Sequence, residues 1–388
     1  MTNRLYYDNA YLTAFDAIVV DALPGRIALS QSAFYPTSGG QPFDTGIIRW
    51  ENGEVNVTDV TVENDTVWHH VDAQIPVGAN VHGEINWARR FDHMQQHAGD
   101  HMIAGAVWEL FRGVTIGLHT GSDVSSIDIA MEEGKTHLTE EEIRRLEDSV
   151  NRRIQQNHPI RCWFPDADEL ESLPLRKKPT VSEHVRIVAM GDFEMVACGG
   201  THPDTTGQIG VVKILSTLPA RGKMRLTFVA GMRAVHAFQA SYQAVRSMGA
   251  MLSADTETAP AALQKLMDTQ MAQQKEMNQK LSLAAIETII HSLEIRKEAH
   301  VYCCHLPFAD ASILQQAAKA LLQKENTLLF LSCPRPAGCH VLFARSADRR
   351  EDMASLLRSC NIRGGGKPDF VQGSSEKPVS PALLDSLL

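Results

Sequence analysis

Two short motifs hold side chains able to bind a metal ion. His97-Ala98-Gly99-Asp100-His101 places two imidazoles four residues apart. On a helix that spacing puts both on one face, within reach of a single ion. Cys198-Gly199-Gly200-Thr201-His202 repeats the separation with a thiol and an imidazole, and its glycines let the backbone fold tightly between them. Together these residues offer three nitrogens and one sulfur, a donor set suited to zinc. With 16 histidines in the chain, neither motif decides the matter alone, and His93, four residues before His97, offers an equivalent helical pair. A third segment runs from Phe34 to Gly46 and contains Gly39-Gly40-Gln41. A turn there presents backbone N–H groups and one amide beside an open surface, or it is only a hairpin loop. No Gly-Lys-Ser/Thr follows, so it is not a phosphate-binding P-loop, and no Glu follows His97 as the metallopeptidase motif His-Glu-x-x-His requires.

These motifs need a scaffold. Residues 1–88 read as an N-terminal small antiparallel β-barrel, with strand-like runs at 26–30, 46–50, 55–62, 66–71 and 81–87 separated by Gly, Pro and Asn-Gly turns. Residues 89–231 mix helix and strand and form the α+β unit that holds both metal motifs. In it, a helix over 90–110 carries the His-x-x-x-His pair. Thr139 to Glu142 predicts a capping box at the start of a second helix. Residues 232–297 are helical with a break at 253–260, either a packed hairpin or an extended coiled-coil arm. Residues 298–388 alternate strand and helix as a small C-terminal α/β domain with a Gly364-Gly365-Gly366 loop. The whole is α+β.

The 388 residues are 44% hydrophobic and 21% charged, globular values that exclude a disordered or collagenous chain. No run is apolar enough to span a membrane, and the N-terminus shows no secretory h-region, so a cytoplasmic location is expected. Seven cysteines, an odd and scattered number, are expected as free thiols. The net charge of −9 gives no bulk reason to bind nucleic acid. From Glu298 onward ten Lys/Arg oppose nine Asp/Glu, which leaves −10 on the rest and favours the C-terminal domain as the polyanion-binding part.

The joint pattern resembles a known family. Phe34-Tyr35-Pro36-Thr37-Ser38-Gly39-Gly40-Gln41-Pro42 with Asp44 and Gly46, then His97 and His101, then Cys198 to His202, is similar to the editing domain of alanyl-tRNA synthetase and to free-standing alanyl-tRNA editing proteins of the AlaX type. Gly364 to Gly373 resembles the Gly-rich segment of that synthetase's DHH-associated C-terminal domain. The order matches the long AlaX form across the whole chain. Two departures are mild: Ser32-Ala33 stands where Thr-Pro is usual, and Met102-Ile103 where Leu-Leu is usual.

The resemblance implies a trans-editing hydrolase that deacylates mischarged tRNA(Ala), chiefly Ser-tRNA(Ala) with Gly-tRNA(Ala) as a second substrate, in the service of translation fidelity. It chooses His97, His101, Cys198 and His202 as the ligands of one zinc ion per chain, and so leaves His93 out. Gln41 is the implied non-metal catalytic residue. Gly39, Gly40, Thr115 and His119 are expected at the substrate, and Arg363 and Lys367 at the tRNA backbone. No aminoacylation core precedes the editing motifs, so amino-acid activation is not expected. Four protein ligands make a closed zinc site. Either one ligand is labile, or zinc orients the adenosine end while another group places the water; the residues leave both open. A homodimer through the helical segment or the C-terminal domain is the expected assembly. The competing reading is a non-catalytic zinc-containing tRNA-binding protein.

Overall fold

Alternation builds the first sheet. In Ala14–Leu23, Phe15, Ala17 and Val19 are buried while Asp16, Ile18 and Val20 point outward. Seven antiparallel strands follow the order Gly53–Val57, Gly46–Trp50, Asn80–Ile85, Ala14–Leu23, Arg26–Leu29, Thr66–His70, Asp59–Glu63. The two edge strands are consecutive and joined by Thr58 alone, so the sheet must curl until its edges approach. The single strand expected over 55–62 is therefore two strands, because the chain crosses from one edge to the other at Thr58, whose N–H donates to the carbonyl of His70 at 3.0 Å. The curled sheet encloses Phe15, Ile27, Leu29, Phe34, Ile48 and Val67.

The computed structural model describes residues 2–177, 179 and 184–385. The chain divides into two units, Met1–Ala244 and Val245–Leu388. In the first, the central helix Trp87–Phe111 begins with Asn86, whose side chain accepts from the N–H of Arg89, and ends at Arg112 in the left-handed region. It packs with the helix Glu140–Gln155 and a four-stranded sheet ordered Val114–Thr120, Ser125–Ala130, Lys223–Ala230, Val212–Ala220. The expected capping box is present: Thr139 accepts from the Glu142 N–H, and Glu142 accepts from the Thr139 N–H. A three-stranded sheet of Ile160–Trp163, Ile187–Met190 and Glu194–Ala197 completes the unit.

The second unit is a six-stranded mixed sheet, ordered Leu293–Arg296, Ala299–His305, Thr327–Pro334, Cys339–Arg345, Phe370–Ser375, Arg363–Lys367. One parallel pair, bridged by the helix Ala311–Leu321, sits among antiparallel neighbours. The long helix Ala259–Ile290 spans roughly 48 Å at 1.5 Å per residue. Its last turns pack Ala285 and Ile289 on the sheet, while Leu263, Leu266, Met267 and Met271 stay exposed. Helix does not persist to 297, since Leu293–Arg296 pairs with Ala299–His305 as an edge strand. The Gly364-Gly365-Gly366 loop is also corrected: these glycines lie inside the strand Arg363–Lys367. A Cβ on Gly364 would meet the carbonyl oxygen of Gln372 at 2.1 Å, so glycine is what lets the strands approach. Among the described residues no helix is long and apolar enough to cross a membrane, and all seven cysteines are free.

One buried ion pair ties the central helix to the first sheet. Arg90 and Asp44 both have fully buried side chains. The Arg90 Nε lies 3.0 and 2.9 Å from the Asp44 carboxylate oxygens, and its terminal nitrogens reach the carbonyls of Ala10 and Ala33. Asp44 also accepts from the Tyr35 N–H at 2.6 Å. Removing one partner strands the other without water. Arg90→Met should cost about 3–5 kcal/mol in urea unfolding, and combining it with Asp44→Leu should recover much of that loss. Additive losses would show that the two charges are not coupled.

Candidate metal centre

Three segments converge on one point. The central helix presents His97 and His101 from successive turns, with ring centroids 5.1 Å apart. The strand Glu194–Ala197 delivers Cys198, and the following turn swings His202 to within 4.7 Å of the His97 ring. One ligand atom from each of His97, His101, Cys198 and His202 falls within 4.8 Å of all the others. The Cys198 Sγ lies 3.3 Å from His97 Nε2 and 3.4 Å from His202 Nε2. His93 is buried but stands outside this cluster.

The turn is held from both sides. Arg186 donates to the carbonyls of Cys198 and Gly200 at 3.1 and 2.8 Å, and the Gly200 N–H donates to the Cys198 sulfur. A Cβ on Gly200 would stand 2.1 Å from the His97 ring, so only glycine permits this approach. Among the described residues the His101 and His202 Nδ1 atoms are buried without hydrogen-bond partners. Three imidazoles and one thiol whose ligand atoms all converge within 4.8 Å form a nitrogen-and-sulfur donor set, and the set fits zinc.

Gln41 is not on an open surface. It is fully buried. Its Nε2 donates to Thr201 Oγ1 at 2.8 Å, and its Oε1 accepts from the Thr201 N–H at 3.0 Å. The same oxygen accepts from His97 Nδ1 at 3.0 Å. That contact puts the His97 proton on Nδ1 and leaves Nε2 free to face the cluster. The expected exposed amide is thus spent on the ligand and on the turn.

Burial sets the protonation states. It pushes His97 down to about 4, with Arg186 acting in the same direction. Burial, and then the neighbouring imidazoles, hold His101 and His202 well below the usual range. Burial pushes the Cys198 thiol up to about 12. The imidazoles are therefore neutral and ready to ligate, whereas the thiol must lose a proton to do so.

Beside the cluster opens a cavity of about 270 Å³ lined by Gly39, Asp100, Thr115, Leu118 and Arg176. Arg176 pairs with the buried Glu194 carboxylate at 2.9 Å and donates to Thr115 Oγ1 at 3.3 Å. Asp100 Oδ1 is buried without a hydrogen-bond partner among the described residues. Burial, reinforced by Glu194 and opposed by Arg176, pushes Asp100 up to about 7. Of the expected substrate residues, Gly39 and Thr115 line this cavity. His119 is exposed and does not, and Gly40 contributes its carbonyl to the N–H of Thr120. Arg363 and Lys367 are exposed on the Gly-rich hairpin of the second unit. Arg176, Glu194 and Arg186 carry no local sequence signal of the cluster they meet, and of the residues that support it only Thr201 lies inside one of the two metal motifs.

If Cys198 is the one ligand that must ionise, zinc binding near neutral pH should release about one proton, read by calorimetry in buffers of different ionisation enthalpy. Release of two or more would mean that an imidazole is protonated in the apo protein. His101→Ala should abolish stoichiometric zinc and His93→Ala should retain it. Gln41→Ala should weaken zinc affinity about 10- to 100-fold; an unchanged affinity would remove the His97 contact from any orienting role.

Comparison with known proteins agrees in part. The family model for class II (A) tRNA synthetases matches residues 11–89, and that for the threonyl and alanyl tRNA synthetase second additional domain matches 185–226, which includes Cys198 and His202. The alanine–tRNA ligase of Pyrococcus furiosus is 32% identical over 85% of this chain and 37% of its own length. That of Thermococcus kodakarensis is 28% identical over 97% of this chain and 42% of its own. The Halorubrum lacusprofundi ligase is 32% identical over 71% and 31%. The chain spans about two fifths of the length of the first two relatives.

Proposed function

Because the chain is an AlaX-like relative of alanyl-tRNA synthetase, we propose that it is a trans-editing hydrolase, deacylating mischarged tRNA(Ala), chiefly Ser-tRNA(Ala) and also Gly-tRNA(Ala), by zinc-dependent ester hydrolysis. The observation that carries this reading is the four-donor cluster opening onto a small polar cavity. The scissile bond is an ester to a ribose hydroxyl: water adds to the carbonyl, and the ribose oxygen leaves with a proton. When bound by His97, His101, Cys198 and His202, zinc supplies Lewis-acid polarisation.

The chain's own groups supply position and selection. Gln41 acts as a positioning residue: it holds His97 by Nδ1 and the Cys198–His202 turn by Thr201. In the cavity, Asp100 Oδ1 and Thr115 Oγ1 offer acceptors to a seryl hydroxyl or to the α-ammonium. A wall of this kind gains hydrogen bonds from serine that the methyl of alanine cannot return, which is the basis for sparing Ala-tRNA(Ala). On the second unit, Arg363 and Lys367 lie beside glycines whose exposed backbone leaves room for phosphate oxygens.

The decisive assay is single-turnover release of free serine from Ser-tRNA(Ala), with Ala-tRNA(Ala) as control. Serine release without alanine release is expected. Intact tRNA binding with no serine release would favour the non-catalytic zinc-containing tRNA-binding reading. Gln41→Ala should lose on the order of 10²-fold in rate if the His97 and Thr201 contacts position the reacting ester. Arg363→Gln with Lys367→Gln should weaken tRNA binding and lower the salt slope by about two; an unchanged slope would remove both from the phosphate contacts.

A further inference from the structure

The cavity beside the metal donors is a gap between two elements. His97, Asp100 and His101 of the central helix form one wall, and Thr115, Ile116, Gly117 and Leu118 of the strand Val114–Thr120 form another. That strand lies at the edge of its four-stranded sheet, and its register with Ser125–Ala130 shifts between Thr115 and Gly117. A neighbouring strand on one side and a bulge at the cavity leave its distance from the helix to be set by other contacts.

Arg233 supplies such a contact. Its Nε and one terminal nitrogen pair with the Asp92 carboxylate of the central helix at 2.8 and 2.6 Å. The other terminal nitrogen donates to the carbonyl of Gly121, the residue after the strand, at 2.9 Å. One planar guanidinium thus spans the helix and the strand end. Both of its anchorages are stiff. Gln96 donates to the Ala230 carbonyl at 3.0 Å and accepts from the Ala230 N–H at 2.8 Å, and a Cβ on Gly231 would stand 2.1 Å from the Gln95 side chain. At the strand end, the Gly121 N–H donates to the Val124 carbonyl at 3.0 Å and the Thr120 N–H to the Gly40 carbonyl at 3.2 Å. The pair keeps some access to water, with side-chain exposures of 14% for Arg233 and 29% for Asp92. An ion pair so placed adds little to stability. What it does is fix a position.

We propose that Arg233 is a positioning residue that sets the width of this cavity and, through it, the choice between acyl groups. Asp92 lies eight residues before Asp100, about 12 Å along the same helix. Gly121 closes the strand that carries Thr115. A slip of the strand against the helix therefore moves Thr115 relative to Asp100, and a single hydroxyl is reached by both only at one separation. With the bridge cut, a seryl group loses hydrogen bonds that an alanyl group never made, so the preference between them falls. The inference rests on the deacylase reading for the identity of the acyl group, while the bridge itself does not depend on it.

The test uses the full zinc-loaded chain. Calorimetry measures binding of the 3′-amide analogues of seryl-adenosine and alanyl-adenosine, which lack the scissile ester. Arg233→Gln should lower the seryl-to-alanyl affinity ratio about 10-fold and slow single-turnover serine release about 10- to 100-fold. Zinc content and melting temperature should stay near the wild type. Arg233→Lys keeps a positive charge beside Asp92 but cannot also reach Gly121, so it should lose the ratio as well; it decides the matter should the glutamine variant lose zinc or melt early. Arg225→Gln is the control. It removes a comparable pair with Asp128, at 2.7 and 2.8 Å, and Asp128 points off the opposite face of the sheet from the buried Ile127 and Ile129. Its ratio should be unchanged. Equal binding of the two analogues by the wild type, an unchanged ratio in folded Arg233→Gln, a full ratio in Arg233→Lys, or an equal loss in Arg225→Gln would overturn the proposal. If the ratio depends on Arg233 but Ser-tRNA(Ala) is not hydrolysed, the bridge stands and the deacylase reading fails. If Ser-tRNA(Ala) is hydrolysed and the Arg233 variants match the wild type in rate and ratio, the bridge fails and the deacylase reading stands.

Discussion

Everything near the metal centre depends on the depth at which the central helix sits, and the Arg90–Asp44 pair sets that depth. Two opposite charges with no exposed surface survive only if each polar atom is answered, and here the carboxylate also takes the Tyr35 N–H while the guanidinium takes two backbone carbonyls. A slide or rotation of the helix would break several of these bonds together. His97 lies seven residues beyond Arg90, about two turns, and so on the same face. Gln41 lies three residues before Asp44. One ion pair thereby positions both partners of the Gln41–His97 contact.

The cluster itself joins pieces of chain that are far apart. Its donors come from residues 97–101 and 198–202, and the amide that orients His97 comes from residue 41. Without a metal, this assembly encloses neutral imidazoles and a thiol that burial holds in its protonated form. Closing such a loop costs entropy that no strong bond in the apo cluster repays. The surrounding packing of Ala98, Met102 and Phe228 carries that cost, which is why the site can be shaped before an ion arrives.

Spacing within one element was readable from the sequence; meeting between elements was not. The four-residue periods of the two metal motifs and the Thr139–Glu142 capping box concern neighbours on one helix or turn. Gln41 illustrates the other case. Gly39-Gly40 announces a turn, but whether that turn faces water or the His97 ring depends on residues 56 and 160 positions away. The strand Ala14–Leu23 is hidden in the sequence because Ile18 and Val20 are apolar on the outer face and blur its alternation. The three glycines at 364–366 have the composition of a loop, yet pairing with Phe370–Ser375 overrides local propensity. The apolar spacing of the long helix continues to Leu293 and so hides its end, where a sheet edge captures the chain at Leu293–Arg296.

Net charge is also a poor guide to the local field. The chain carries −9 overall, yet the walls beside Cys198 gather Arg4, Lys177 and Arg186, with Arg176 just beyond. A ligand responds to the field at its own site, where low-dielectric walls focus it, more than to the sum over a distant surface. The acidic surplus elsewhere then has a role of its own. If the partner is RNA, as proposed, that surplus would oppose contact over most of the surface and favour approach only where cations cluster. On the proposed function, the selective step would then fall at the cavity beside the metal donors, whose wall sets the Asp100 carboxyl and the Thr115 hydroxyl side by side with the cluster.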